Sequence, residues 1–226
     1  MNTDYLSKLQ RYIREPVNGL THGLGAVLAL VGLIVLLYEA VLQESISHIV
    51  AFSIFGASMV LLYTSSSLYH SLPVREKTLK FFQKLDHSMI YVLIAGSYTP
   101  ICLIVLEGNW KWGIFITVWS LALLGIIKKF VYMKTPRWIS TMLYLGMGWM
   151  GVILFPTLFE KLPAAFLGWI IAGGLAYSLG AIIYGLEKHN PITEWFGHHE
   201  IWHLFVLAGT FSHFWAFYSY LSSYGV

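Results

Sequence analysis

The stretch His199-Glu200-Ile201-Trp202-His203 opens an apolar run that continues to Tyr220. Two imidazoles four residues apart on a helix share a face and stand one turn apart, within reach of one metal ion. The run is long enough to cross a bilayer, so the pair lies just inside a membrane helix, where imidazoles are costly unless they bind something. A third nitrogen is available from His70, which ends the apolar stretch containing Ser65-Ser66-Ser67-Leu68-Tyr69. Three protein ligands plus a water is the arrangement of catalytic zinc. A water acidified by the metal needs a carboxylate or hydroxyl neighbour. Asp86, which opens the next apolar stretch, and Ser66, one turn before His70, are the candidates. Asp86 has a second reading as a helix N-cap, and Ser66 as a hydroxyl bonded back to its own helix.

The remaining histidines fit this set less well. His198 is rotated off the His199–His203 face, and His87 points away from its neighbour Asp86. His213 lies ten residues beyond His203, about 15 Å along a helix. His22 and His213 are read as packing residues, His48 belongs to the opposite interface and His189 to a loop. The same stretch is a literal H-E-x-x-H, the zinc-protease signature with Glu200 as base. That signature needs a further ligand, and no Asp or Glu follows Glu200.

The elements that must position these residues are membrane helices. The 226 residues are 57% hydrophobic and 11% charged, against about 25% charged in soluble domains. Mean hydropathy is +0.67. A net charge of +3 gives no reason to expect nucleic acid as a partner, and the lone Cys102 excludes an intrachain disulfide. The first fifteen residues are polar, with no cleavable signal peptide evident. The expected fold is all-α, a single multi-pass domain over 1–226. Seven continuous apolar segments are predicted as helices at about 20–42, 48–70, 86–106, 110–129, 138–158, 164–186 and 199–220. Pro73, Pro136, Pro163 and Pro191 punctuate loops, while Pro100 and Pro156 are placed to kink spans. Gly19/Gly23, Gly146/Gly148 and Gly173/Gly174 are expected at close helix contacts. Trp110, Trp112, Trp138, Trp169 and Trp195 fit an aromatic belt.

Charge sets orientation. Twelve of the 14 Lys and Arg fall in the N-terminal tail (Lys8, Arg11, Arg14) and in the loops after the second, fourth and sixth segments. These are Arg75, Lys77, Lys80 and Lys84, then Lys128, Lys129, Lys134 and Arg137, then Lys188; only Lys111 and Lys161 lie on the other side. The N-terminus is therefore expected in the cytoplasm. His70, Asp86, His199 and His203 then occupy one layer near the cytoplasmic face.

Several ordered stretches resemble the progestin and adiponectin receptor (PAQR) family, on its bacterial hemolysin III branch. They are Glu15-Pro-Val-Asn18-Gly-Leu-Thr21-His22, Ser66-x-x-x-His70, Lys84-Leu-Asp86 with Ala95-Gly-Ser-Tyr-Thr-Pro100, His199-x-x-x-His203 and Phe211-Ser-His213-Phe. The resemblance implies a zinc ion held by the positions matching His70, His199 and His203, with Asp86 and Ser66 beside its water. It also implies kinship to alkaline ceramidases, and so hydrolysis of a lipid amide or ester, in the cell membrane. The hemolysin name implies lysis of host cells, although no amphipathic pore-forming segment is visible. Two readings stay open beside the hydrolase: a zinc clamp joining the second and seventh helices, with a signalling or cytolytic role, and the H-E-x-x-H protease. An enzyme needs an open cavity at the metal; a clamp is closed.

Overall fold

The computed structural model describes residues 12–132, 135–185 and 196–225. Lys8, Arg11, Lys134, Leu186, Lys188, His189, Pro191 and Trp195 lie outside them, as does the side chain of Arg137. The described residues form helices α1 (Pro16–Leu42), α2 (Ile46–Ser71), α3 (Glu76–Pro100), α4 (Gly108–Val131), α5 (Arg137–Trp149), α6 (Phe155–Lys161), α7 (Ala164–Gly185) and α8 (His198–Tyr220). A π turn, Ile101–Val105, extends α3, and a 3-10 turn, Met150–Leu154, joins α5 to α6.

Six spans are long and apolar enough to cross a membrane: α1, α2, α3 with its π turn, α4, the broken α5–α6 and α7. The 23 residues of α8 are not among them. Its histidines and tyrosines dilute its apolarity, so the feature that marks it chemically also weakens it as a span.

Helix ends depart from the apolar boundaries in one place that matters. Asp86 was expected at the start of a helix, with capping as one reading; α3 begins ten residues earlier, with Arg75 as its N-cap. Asp86 therefore lies inside α3 and caps nothing. The extension from Glu76 is charged and presents exposed Lys77 and Lys80, so hydropathy missed it while helix propensity sustains it.

Apolar side chains gain nothing by leaving lipid for one another, so small residues and hydrogen bonds set the packing. A Cβ on Gly19 would lie 2.3 Å from Ser71 Oγ, and one on Gly173 would lie 2.4 Å from His213 Cδ2. Gly146 and Gly148 were expected to act likewise, but nothing lies within 4 Å of where their Cβ atoms would be. α5 is the loosely held helix, so its small residues meet no neighbour. Tyr63 on α2 donates to Thr210 on α8 at 2.7 Å, and the Tyr177 hydroxyl of α7 lies 2.8 Å from the same Thr210 oxygen. Phe55 and Phe217 pack edge to face at 4.9 Å. α1, α2, α7 and α8 thus form the firm part of the bundle.

The α5–α6 break is tied by one residue of α3. The Tyr98 hydroxyl lies 2.9 Å from the Met147 carbonyl and 2.6 Å from that of Gly148, and accepts the Gly151 N–H at 2.6 Å. These are backbone groups that the 3-10 turn frees from the α-helical ladder, and in an apolar setting each needs a partner.

Candidate metal centre and its cavity

His70 in the last turn of α2 and His199 and His203 in the first turns of α8 come together. Each offers one ligand nitrogen, and these lie within 4.8 Å of one another. The His199 and His203 ring centroids are 4.9 Å apart, and His70 stands 5.0 and 4.9 Å from them. Tetrahedral coordination at a zinc–nitrogen distance near 2.1 Å needs nitrogens about 3.4 Å apart, within reach of small side-chain rotations. His70 Nε2 and His203 Nδ1 are buried and have no hydrogen-bond partner. Buried polar atoms rarely stay unpaired, and a cation at the centre of the three rings would complete His70 Nε2, whose ring already gives Nδ1 to Glu15. The donor set therefore fits a metal ion.

The orientation of His70 is set by Glu15, a residue that spacing alone did not single out. Glu15 Oε2 accepts a hydrogen bond from His70 Nδ1 at 2.5 Å, and the Glu15 N–H donates to the His70 carbonyl at 2.9 Å. This fixes the tautomer and leaves the Nε2 lone pair for a metal, as a carboxylate behind a ligating histidine does. Pro16 at the first position of α1 suits the helix start. Burial alone would raise the Glu15 carboxyl; the hydrogen bond and charge of His70, with Arg14 3.0 Å away, outweigh it and hold the group below its ordinary value. The local signal was available: an acid immediately before a helix-starting proline. Its partner, 55 residues away, was not. Glu15→Gln is expected to weaken metal binding about 10- to 100-fold while the protein stays folded. A competitive chelator titration read by metal release checks this, and unchanged affinity would remove Glu15 from the site.

Glu200 does not face the metal ligands. Its Oε2 accepts the Gly197 N–H at 2.8 Å at the start of α8, and its Oε1 accepts from Asn18 Nδ2 at 2.8 Å. Both oxygens are thus occupied in joining the starts of α1 and α8. His22 is buried against the far side of His203, with ring centroids 3.6 Å apart and nearly parallel. It stacks on a ligand and does not join the three. His213 sits deeper, its Nε2 3.3 Å from the Ile170 carbonyl.

A cavity of about 1060 Å³ opens onto the site. His70, His199, His203, Ser66 and Asp86 all line it. Ser66 is buried, and the Asp86 side chain is 14% exposed. The His87 ring reaches back to within 3.8 Å of Asp86 Oδ2, and the Tyr144 hydroxyl donates to the His87 carbonyl at 3.1 Å. One end of the cavity reaches exposed Lys80 and Tyr132; the other reaches Leu158 and His213. The side wall includes Trp149 and Val152 of the broken span, which are also exposed on the outer surface.

Residues 10–214 match the family model described as Haemolysin-III related. The chain is 40% identical over 209 residues to Hemolysin-3 of Bacillus cereus, covering 92% of each chain. It is 43% identical over 196 residues to the Hemolysin-3 homolog of Bacillus subtilis, covering 87% of this chain and 89% of that one. It is also similar to Monocyte to macrophage differentiation factor of Homo sapiens, 27% identical over 176 residues, covering 74% of this chain and 69% of the human one. The matched span takes in every residue of the metal centre and its cavity, and the chain belongs to the haemolysin-III related family, a bacterial branch of the PAQR proteins.

Proposed function

We propose that the protein is a zinc-dependent hydrolase of a lipid amide or ester, embedded in the cell membrane. The observation that carries this reading is the open cavity. A zinc clamp between α2 and α8 needs three histidines but no space beside them, and here about 1060 Å³ of largely apolar cavity reaches the three rings. The exposed flank at Trp149 and Val152 gives that space a side facing the lipid phase. Three imidazoles suit zinc. When bound, zinc supplies Lewis-acid polarisation of a carbonyl and acidification of a water. The protein's own groups do the rest. His70, His199 and His203 hold the ion, and Glu15 holds His70 in register. The Asp86 carboxylate takes a proton at one of its oxygens, and the Ser66 hydroxyl hydrogen-bonds the substrate carbonyl or the attacking water. The apolar wall excludes bulk water and seats the acyl chain. Release of fatty acid from a lipid amide or ester by purified, zinc-loaded protein tests the reading. Absence of turnover across a panel of both classes leaves the clamp.

In this reading α8 is a seventh span and the N-terminus is cytoplasmic, which the distribution of basic residues supports. Reporter fusions are expected to place Thr78, in the first turn of α3, inside and Val226 outside. A reporter that works only in the cytoplasm and is active at Val226 would overturn this orientation.

A further inference from the structure

Lys129 lies in the last turn of α4, with Lys128 beside it, and by sequence it is one more basic residue at a helix end. In the structure it behaves differently. It is 4% exposed and lines the same cavity as the three histidines. Its ammonium donates to Ser140 Oγ at 3.0 Å and stands 5.7 Å over the Tyr144 ring. Among the described residues no carboxylate makes an ion pair with it; the Asp86 carboxylate attracts it from across the cavity, and the Lys128 ammonium repels it. An ammonium has three donors, so two remain for whatever enters the cavity. A buried ammonium without a close counter-ion is poorly solvated and favours an anionic partner. Lys80 and Lys84 line the same cavity; Lys80 is paired with Glu76 at 2.6 Å and Glu15 is engaged by His70 and Arg14, which leaves Lys84 and Lys129 facing the single carboxylate of Asp86. This end of the cavity therefore has excess positive charge, and the rest of its wall is apolar.

We propose that Lys129 and Ser140 form a binding subsite for the anionic group, carboxylate or phosphate, of an amphiphile whose tail fills the cavity. The subsite rests on the reading of the cavity as a lipid site, and it adds the chemistry that orients the lipid. Tyr144 links it to the candidate catalytic groups: the Lys129 ammonium lies over its ring, and its hydroxyl holds the carbonyl of His87, next to Asp86. A fatty carboxylate, the acid product of hydrolysing either an amide or an ester, has the required charge. So does a lipid that carries a phosphate.

The test is binding, not turnover. Purified, zinc-loaded protein in neutral detergent is titrated with oleate, hexadecyl phosphate and oleyl alcohol, read by tryptophan fluorescence. At least one anion is expected to bind about tenfold or more tightly than the alcohol, the worth of a charged hydrogen bond. Which anion shows the preference identifies the source of the group. Lys129→Met, which keeps the length and removes the charge, is expected to abolish the preference. Lys128→Met removes the same charge one residue away, outside the cavity, and is expected to keep it. Equal binding of anions and alcohol, or an undiminished preference in Lys129→Met, overturns the subsite and leaves the lipid cavity standing. Failure of all three amphiphiles to bind overturns both. Should Lys129→Met not fold, carbodiimide coupling of oleate to the wild type replaces it. Acylation at Lys129 is expected; acylation confined to Lys80 and Lys84, or none, overturns the proposal.

Discussion

His203→Ala protein, purified beside the wild type, is expected to retain little of the zinc that the proposed site holds. His203 is one of three imidazoles converging within 4.8 Å, and it is buried. Two remaining ligands cannot hold a catalytic-type site, so the loss exceeds the roughly 10- to 100-fold seen for groups behind the ligands. His213→Ala is the matched control. It removes an imidazole from the same helix about 15 Å away, at the far end of the cavity, and the metal content is expected to stay at the wild-type level. Elemental mass spectrometry on the two variants decides the matter. Equal zinc in wild type and His203→Ala would remove the site as drawn, and equal loss in both variants would show that the fold, not the ligand, was lost.

Asp86→Asn is expected to keep the zinc of the proposed site and to lose most of the proposed hydrolytic rate. Asp86 lines the cavity without being one of the three converging residues, so the role proposed for its carboxylate is in proton transfer and not in metal binding. A loss of about 10- to 100-fold in rate is expected. The substitution changes no helix end, since α3 begins at Glu76 and Asp86 has no capping duty. Glu200→Gln is the comparison that separates two kinds of enzyme. With Glu200 tied to Asn18 and to the Gly197 N–H, its loss is expected to leave the rate within a few-fold of wild type, at some cost in stability. A reversal of this ranking would make the protein an H-E-x-x-H enzyme. If neither variant differs from wild type on any lipid or peptide turned over by the zinc-loaded protein, the role assigned to Asp86 falls with that of Glu200.

What the sequence made legible follows from how local each feature is. The pairing of His199 with His203 is a property of one helical turn, and any reader of helical period finds it. The approach of His70 to that pair needed an argument about helix direction, which the basic loops supplied. Glu15 was visible only as part of a family-like stretch, because its meaning depends on a contact across 55 residues. The start of α3 was missed because hydropathy registers depth in the bilayer and not the helix itself, and residues 76–85 are helical but carry four charged side chains among their apolar ones. Pro156 was a reasonable sign of a kink. The break sits just before it, at Met150–Leu154, where Tyr98 of another helix satisfies the backbone. Lys129 was counted as a marker of orientation because nothing along the chain distinguishes it from Lys128; burial alone separates them.

The Tyr98 tie has a consequence for how such a protein changes over generations. All three candidate ligands sit on α2 and α8, and the residue that orients one of them immediately precedes α1. The broken α5–α6 span carries none of them and is held across its break by one phenol. Substitutions along that span can reshape the cavity proposed to receive an acyl chain without displacing a single candidate ligand. Descendants of one ancestral chain could therefore diverge in the lipids they accept while inheriting the same metal-binding chemistry, because selectivity and reactivity are encoded on different helices.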